Sequence, residues 1–308
     1  MELINLKTYP VSDVLDRLLR DKTTKRNIIF ATKDYSLNGN PIEPSDEITS
    51  KTLLAFDDNI IQPRVFKSLQ TQKNRKKAMA EVFTPSWVVD KMVNHIDFEW
   101  FGKDVFNIRD GTTWKVIKRK VPFTKGRTWE DYIMSTRLEI TCGEAPYLVS
   151  RYDTTTGEPI PVKSRIGILD RKLRVVNENT DDLETWLKWV YKAYQATYGY
   201  EYQGDNLLIA RINFLLTFVE YMQDHWGMLP TKDELRKVTN IITWNLWQMD
   251  GLSGTIPCNV APKKYEVIEL DLFDDEKTDK EKAEKLPPCR IYDWKANKSV
   301  DYNSLKYK

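Results

Sequence analysis

The sequence has few of the features that mark secreted, membrane-bound or metal-binding proteins. Its three cysteines, Cys142, Cys258 and Cys289, are widely spaced and odd in number, which gives a poor disulfide framework and favours a reduced, cytoplasmic protein. The two histidines are far apart and have no cysteine cluster nearby, so we expect no metal site. No apolar run approaches the roughly 18 residues of a membrane helix, and the N-terminus lacks the pattern of a signal peptide. We therefore expect neither a membrane nor a metal partner.

An excess of charge of one sign is also missing, because the 308 residues carry a net charge of only +2. No overall basic field therefore indicates nucleic acid. Hydrophobic residues make up 41% and charged residues 30%, which is typical of a folded globular chain. Basic residues are nevertheless concentrated between positions 64 and 77, where no acid occurs. This stretch fits contact with phosphates and fits a solvated helix face equally well. Its basic residues are Arg64, Lys67, Lys73, Arg75, Lys76 and Lys77.

Hydrophobic periodicity and turn residues predict a mixture of helices and short strands. Residues 38–58 and 271–285 are predicted to be loops. Residues 150–180 are predicted to be a segment that is not part of a regular β–α repeat. Gly199 is expected to end a helix as its C-cap. The predicted elements are helices over 11–21, 88–96, 181–198, 207–216 and 231–249, and strands over 28–31, 137–141, 200–202 and 289–293.

The segment around Gly143 combines a strand, an acid and a tight turn. Glu139 lies near the end of the strand predicted over 137–141, and residues 146–148 are predicted to open a helix. Open α/β sheets bind ligands at such strand ends, glycine permits close backbone approach, and a helix N-terminus can bind a carboxylate. With Glu139 placed to hold an ammonium group, these partners suit the amino-acid moiety of S-adenosylmethionine.

Two further acids stand at the ends of predicted strands. Glu201 follows Gly199-Tyr200, and a carboxylate at this place in a nucleotide-binding sheet accepts hydrogen bonds from both ribose hydroxyls. Asp293 ends the last predicted strand, where it is expected to accept a hydrogen bond from the adenine amino group of the same ligand.

These motifs, in this order, resemble those of the adenine-specific DNA methyltransferases of restriction–modification systems, and most closely their modification-subunit branch. The first motif of that family is similar to residues 139–148, Glu-Ile-Thr-Cys-Gly-Glu-Ala-Pro-Tyr-Leu. The Phe-Thr-Pro segment that closes over the cofactor in the family is similar to residues 83–85. Glu201 matches the second acid of the family, and Asp293 matches the third, with Asp250 as the alternative.

The resemblance spans about residues 78–295 and implies an α/β, Rossmann-like fold of the S-adenosylmethionine-dependent methyltransferases, with insertions. That domain would occupy residues 78–308 and would be incomplete at its C-terminal end. Residues 1–77 would form a helical and loop extension that includes the basic segment. The residues implied for binding S-adenosylmethionine are Phe83, Thr84, Pro85, Glu139, Thr141, Cys142, Gly143, Ala145, Tyr147, Glu201 and Asp293.

The sequence departs from the family pattern at two kinds of position. Ala145 replaces the usual second glycine and Ile140 the usual proline, which makes the turn less permissive. The Asn/Asp-Pro-Pro-aromatic motif that holds the flipped adenine does not occur in residues 1–308. Residues 286–289, Leu-Pro-Pro-Cys, lack the polar and aromatic ends of that motif and precede the third strand instead of following it. The sequence therefore offers no catalytic residue.

The expected function is that of the cofactor-binding subunit of an adenine-specific DNA methyltransferase. It would act on double-stranded DNA with a second chain that supplies the missing motif. The alternative is a catalytically inactive methyltransferase-like protein that binds DNA or a partner in a defence or anti-defence context, since fold alone does not imply function. A methyltransferase acting on a small molecule or a protein is less favoured, because of the Phe-Thr-Pro match.

Overall fold

The computed structural model describes residues 3–37, 39–55, 60–79, 81–82, 84–259 and 286–305. In this part of the chain the protein is a mixed α/β structure. No helix within it is long and apolar enough to cross a membrane. The helices are α1 (Val11–Leu18), α2 (Ser50–Leu54), α3 (Leu69–Met79), α4 (Ser86–Phe101), α5 (Trp129–Met134), α6 (Ile168–Asn179), α7 (Leu183–Gln195), α8 (Gly204–Trp226) and α9 (Lys232–Asn245). The strands are β1 (Ser36–Leu37), β2 (Asn40–Pro41), β3 (Asn107–Asp110), β4 (Thr113–Val116), β5 (Arg137–Glu139), β6 (Thr197–Glu201), β7 (Leu246–Gln248), β8 (Arg290–Asp293) and β9 (Lys298–Asp301).

A three-stranded parallel sheet in the order β5-β6-β7 organises the second half of the chain. Glu139 pairs with Gly199, and Gly199 pairs in turn with Leu246. Helices α6 and α7 connect β5 to β6, and α8 and α9 connect β6 to β7. Because the strands are parallel, their carboxyl ends lie at one edge of the sheet. The predicted α/β class is confirmed at this level, and the other strand pairs are short antiparallel hairpins.

The third strand of this sheet was missed by the sequence pattern, which predicted one helix over 231–249. Helix α9 ends at Asn245, and β7 begins at the next residue. No glycine or proline marks the change, and Leu246, Trp247 and Gln248 are all buried, so helical periodicity and a fully buried strand look alike there. The Asn245 amide fixes the boundary by donating hydrogen bonds to the carbonyls of Gln195 and Thr197.

Gly199 does not end a helix, contrary to the expectation. Helix α7 ends at Gln195, and Gly199 lies inside β6. A Cβ at this position would lie 3.2 Å from the sulfur of Cys142 and 3.0 Å from Leu246 Cδ2. Glycine is therefore needed here because Cys142 and Leu246 pack closely against it, and not because the backbone is left-handed.

Further expectations differ from the structure. The loop predicted over 38–58 contains β2 and α2, and the loop predicted over 271–285 lies outside the described residues. Residues 28–31 form only an isolated bridge, between Ile29 and Glu47, because the Gln248 side chain bonds both backbone groups of Ile29. The segment 150–180, which was expected to lie outside any regular β–α repeat, contains a regular helix, α6. The strand predicted at 289–293 exists as β8, but it pairs with β9 and not with the parallel sheet.

The main hydrophobic core is continuous from Leu3 to Leu246 and joins the N-terminal extension to the sheet region. Helix α8 runs through its middle and is buried on nearly every side, as expected of a helix that is apolar all round. Its one buried arginine, Arg211, bonds the carbonyls of Leu246 and Arg20. Helix α8 starts directly after β6 and so fixes the carboxyl end of the sheet.

Candidate functional site

A cleft of about 1200 Å³ opens at the carboxyl ends of β5 and β6. It is larger than most small-molecule sites. The turn that follows β5 forms one side, and the segment that joins β6 to α8 forms the next. The middle of α4 (Met92 and Ile96), the end of α3 and residues 31–34 close the remaining sides. We refer to this space as the cleft.

Two carboxylates, Glu139 and Glu201, face the cleft from adjacent strand ends. Burial raises the pKa of Glu139 well above its ordinary value, the backbone N–H groups of Tyr147 and Leu148 oppose this rise, and the charge of Glu201 adds to it. Burial also raises the pKa of Glu201. Glu139 Oε2 is buried without a hydrogen-bond partner among the described residues. The pair is therefore suited to a cationic or donor-rich ligand.

The turn after β5 is held in a left-handed conformation at alternate residues. Thr141, Gly143 and Ala145 have φ values of 46°, 55° and 63°. The Gly143 N–H donates to Glu201 Oε2 at 2.8 Å, and the Cys142 N–H donates to the Tyr200 carbonyl at 2.9 Å. The turn is thus tied to β6, and its backbone forms the floor of the cleft.

No helix opens at residues 146–148, so this expectation is wrong. The segment continues as turns, and its carbonyls are used elsewhere. The Ile168 N–H donates to the Tyr147 carbonyl and the Leu169 N–H to the Leu148 carbonyl, both at 2.8 Å. These bonds satisfy the N–H groups of the first turn of α6, whose first residue, Ile168, also lines the cleft. A ligand carboxylate therefore finds no helix N-terminus in the position that the sequence predicted.

Glu201 is anchored by the backbone at both of its oxygens. Oε2 accepts from Gly143, and Oε1 accepts from the Gln203 N–H at 3.1 Å. Each carboxylate oxygen can accept a second hydrogen bond, so the group is oriented and retains capacity for ligand hydroxyls.

The structure brings most of the predicted cofactor residues together. Pro85 precedes the first residue of α4, and Ala145 is fully buried within the turn; neither lines the cleft. Phe83 lies outside the described residues. Those that line the cleft are Thr84, Glu139, Thr141, Cys142, Gly143, Tyr147 and Glu201.

Asp293 is not brought to this site. It lines a second cavity, of about 670 Å³, together with Thr136 and Ala196. Those two residues precede β5 and β6, so this cavity lies toward the opposite ends of the strands. The alternative acid, Asp250, follows β7 and is therefore at the same edge of the sheet as Glu139 and Glu201. Its Oδ1 accepts the Leu252 N–H at 2.8 Å.

The residues of the basic segment differ in exposure, and Arg75 is buried. Its guanidinium donates to Glu81 Oε2 and Asp34 Oδ2 at 2.6 Å, to Gln203 Oε1 at 2.7 Å and to Asp205 Oδ1 at 3.1 Å. Of these partners, Asp34, Glu81 and Gln203 line the cleft. Arg75 therefore joins three separate segments behind one wall of the cleft.

Lys67 and Arg64 also make ion pairs near this wall. Lys67 Nζ lies 2.8 Å from Asp205 Oδ2, and Arg64 Nε lies 3.9 Å from Glu81 Oε1. Although burial alone would raise the pKa of Asp205, the charges of Lys67 and Arg75 hold it below its ordinary value. Lys73, Lys76 and Lys77 are exposed, and of these Lys77 lines the cleft.

Glu144 belongs to the segment 139–148 that resembles the first family motif, but unlike its neighbour Gly143 it does not line the cleft. Its carboxylate accepts the Arg64 N–H and the Tyr152 hydroxyl, both at 2.6 Å. Burial raises its pKa to about 7. It fixes the turn to the start of the basic segment from behind the cleft.

The sequence interpretation missed Glu81, Gln203 and Asn206, which line the cleft. The Asn206 amide donates to Glu81 Oε2 at 3.0 Å and to Gln203 Oε1 at 2.9 Å. Glu81 Oε1 and Asn206 Oδ1 are buried without a hydrogen-bond partner among the described residues. The cluster of polar residues directly after β6 was the available signal, since such segments meet ligands in parallel sheets.

No group of His, Cys, Asp and Glu side chains in the described part of the chain is arranged to hold a metal ion. Comparison with known protein families, with curated proteins and with solved structures gave no match to this chain. The assignment of a function therefore depends on the cleft and on the residues that line it.

Proposed function

We propose that the chain binds S-adenosylmethionine in the cleft and is the cofactor-binding subunit of an adenine-specific DNA methyltransferase. The observation that carries this proposal is the pair Glu139 and Glu201 at adjacent parallel strand ends, with the Gly143 turn between them. Glu139 would hold the ammonium group, and Glu201 would accept the ribose hydroxyls.

The charge of the ligand supports this choice over an anionic nucleotide. S-adenosylmethionine carries a sulfonium and an ammonium group, and neither Glu139 nor Glu201 is stabilised by a nearby lysine or arginine charge. A cation bound beside two buried carboxylates gains more than it would in water, because the local dielectric constant is low. A phosphate-bearing nucleotide would be repelled at the same position.

The sequence resemblance, and not the cleft, supplies the DNA substrate and the second chain. Methyl transfer would proceed by direct attack of the adenine amino group on the sulfonium methyl group. This chain would contribute binding and orientation of the donor, and the partner would present the adenine.

Titration calorimetry of the full chain with S-adenosylmethionine tests the cofactor half of the proposal. We expect saturable binding that strengthens as the pH rises through the raised pKa of Glu139, because burial raises that pKa and a bound cation favours the ionised carboxylate. Binding thus releases a proton, so affinity rises with pH by up to tenfold per pH unit. Glu139→Gln should bind weakly and without this dependence. Absence of heat at every pH would refute the proposal.

The missing Asn/Asp-Pro-Pro-aromatic motif favours a second candidate, a non-catalytic protein that binds the cofactor or DNA. A methylation assay on double-stranded DNA separates the two. The chain is tested alone and with the products of neighbouring genes. Methylation that requires both this chain and a partner carrying the motif supports the subunit. Cofactor binding without methylation in any combination supports the non-catalytic protein.

A further inference from the structure

The walls of the cleft are separated by charge. Glu139 and Glu201 lie at the sheet edge, whereas Lys33 and Lys77 lie on the wall formed by residues 31–34 and the end of α3. Both lysines are exposed. Neither lysine side chain forms an ion pair or a hydrogen bond within the described part of the chain. Positive and negative groups of one cleft are thus held apart.

The wall that carries Lys33 and Lys77 also contains acids, but these acids are paired with other basic residues. Asp34 is next to Lys33 in sequence, but its carboxylate is taken by Arg75 at 2.6 Å, as is that of Glu81. Asp205 is taken by Lys67 and Arg75. Arg64, Lys67 and Arg75 together are the cations paired with these three acids. Among the described residues, Lys33 and Lys77 therefore have no acid as an ion-pair partner at the mouth of the cleft.

We propose that Lys33 and Lys77 form a phosphate-binding rim, which contacts the backbone of the DNA strand brought to the cleft. This inference rests on the proposed function for the identity of the substrate. It adds Lys33, which lies outside the basic segment, and it separates Lys77 from Arg64, Lys67 and Arg75, whose charges are used within the fold. Lysine is suited to this role because a point charge on a flexible stem contacts phosphates without base specificity.

Fluorescence anisotropy of a labelled DNA duplex with the full chain, measured over a range of salt concentrations, tests the rim. Each phosphate contact contributes about 0.9 to the slope of log affinity against log salt. We expect Lys33→Ala and Lys77→Ala each to lower the slope by about that amount, and the double variant by about twice as much. Lys73→Ala is the matched control, because Lys73 is an exposed lysine of α3 that does not line the cleft.

Calorimetry with S-adenosylmethionine on the same variants separates this inference from the proposed function. The rim predicts unchanged cofactor affinity in the double variant. A loss of more than about threefold (about 0.7 kcal/mol) would mean that the lysines bind the cofactor carboxylate, and would overturn the rim. A wild-type slope in the double variant, an equal effect of Lys73→Ala, or cofactor binding without DNA binding would also overturn it. Failure of the wild-type chain to bind the cofactor would instead contradict the proposed function.

Discussion

The cleft and the second cavity are bounded by the same three-stranded sheet, yet their polar groups are in opposite states. The cavity is lined by aromatic side chains, among them Tyr198, Trp247, Tyr292 and Trp294. Their polar atoms are bonded within the protein: the Tyr198 hydroxyl donates to the Tyr292 carbonyl at 3.0 Å, and Trp294 Nε1 donates to Asn245 Oδ1 at 2.7 Å. The cavity presents apolar ring surface whose hydrogen bonds are already made.

The cleft contains buried oxygens without such partners, on Glu81, Glu139 and Asn206. A buried polar atom that lacks a hydrogen bond costs about 1–3 kcal/mol, and a ligand that supplies the donor recovers part of this cost. The difference teaches that the two spaces differ in their hydrogen-bonding state as well as in size. The unmet hydrogen-bonding capacity of the cleft and its two strand-end carboxylates are the reasons why we propose it, and not the cavity, as the site of a cationic ligand.

The largest expected effect comes from removing the cation behind the cleft wall. Arg75 is 1% exposed and pairs with three carboxylates. Arg75→Met would leave Asp205 with Lys67 alone and Glu81 with only the more distant Arg64. The loss of the shared cation should lower the free energy of unfolding by about 3–5 kcal/mol. Urea denaturation measures this loss, and Lys73→Met on the same helix should change stability by less than about 0.5 kcal/mol. Equal stability of the two variants would mean that the wall does not depend on this ion-pair network.

An intermediate effect should separate the cleft from the cavity directly. Glu201→Gln replaces an oxygen that accepts the N–H of Gly143 or Gln203 by an amide nitrogen, and it removes the negative charge. Affinity for S-adenosylmethionine should fall by at least about tenfold, since charged hydrogen bonds contribute about 1.5–3 kcal/mol. Asp293→Asn, in the cavity, should leave calorimetric affinity unchanged. The opposite order of effects would move the ligand from the cleft to the cavity.

The smallest effect concerns the turn beneath the cleft. Ala145 has a φ of 63°, where an alanine is strained by about 1–2 kcal/mol. Ala145→Gly relieves this strain while losing one buried methyl group. Ala193→Gly removes an equally buried methyl group from the interior of α7 and in addition loses about 1 kcal/mol of helix propensity. Ala145→Gly should therefore cost about 2–3 kcal/mol less than Ala193→Gly. Thermal unfolding of both variants measures the difference, and a difference of only about 1 kcal/mol, which helix propensity alone explains, would argue against a strained turn.

Several elements were predictable because their signals are local. The pattern over 181–198 predicted α7, and the acid after a short strand predicted the place of Glu201 at the end of β6. The placement of Glu139, Thr141, Cys142 and Gly143 on one turn also followed from their order in the sequence. Strand β7 was not predictable in this way, because its three buried residues continue the apolar pattern of α9 without a break.

The wall opposite the sheet was also beyond sequence pattern. Nothing local distinguishes Arg75 from Lys73 or Lys76, and all three lie in one run of basic residues. Only the approach of Asp34 and Asp205 from distant positions, together with the nearby Glu81, makes Arg75 an internal ion-pair partner. In the same way, Asp250 was only the second choice for the third acid, although β7 places it at the same edge as Glu201.

The sequence by itself determined the α/β class, the turn after β5 and the two acids that face the cleft, because glycine, strand-end acids and hydrophobic periodicity act over a few residues. The tertiary structure decided which charges meet. Asp293 and residues 146–148 carried a plausible local pattern, yet β8 pairs outside the parallel sheet and the carbonyls of Tyr147 and Leu148 bond the start of α6. Strand pairing and ion pairing join residues that are far apart in the chain, and their outcome depends on which partners the fold brings within a few ångströms.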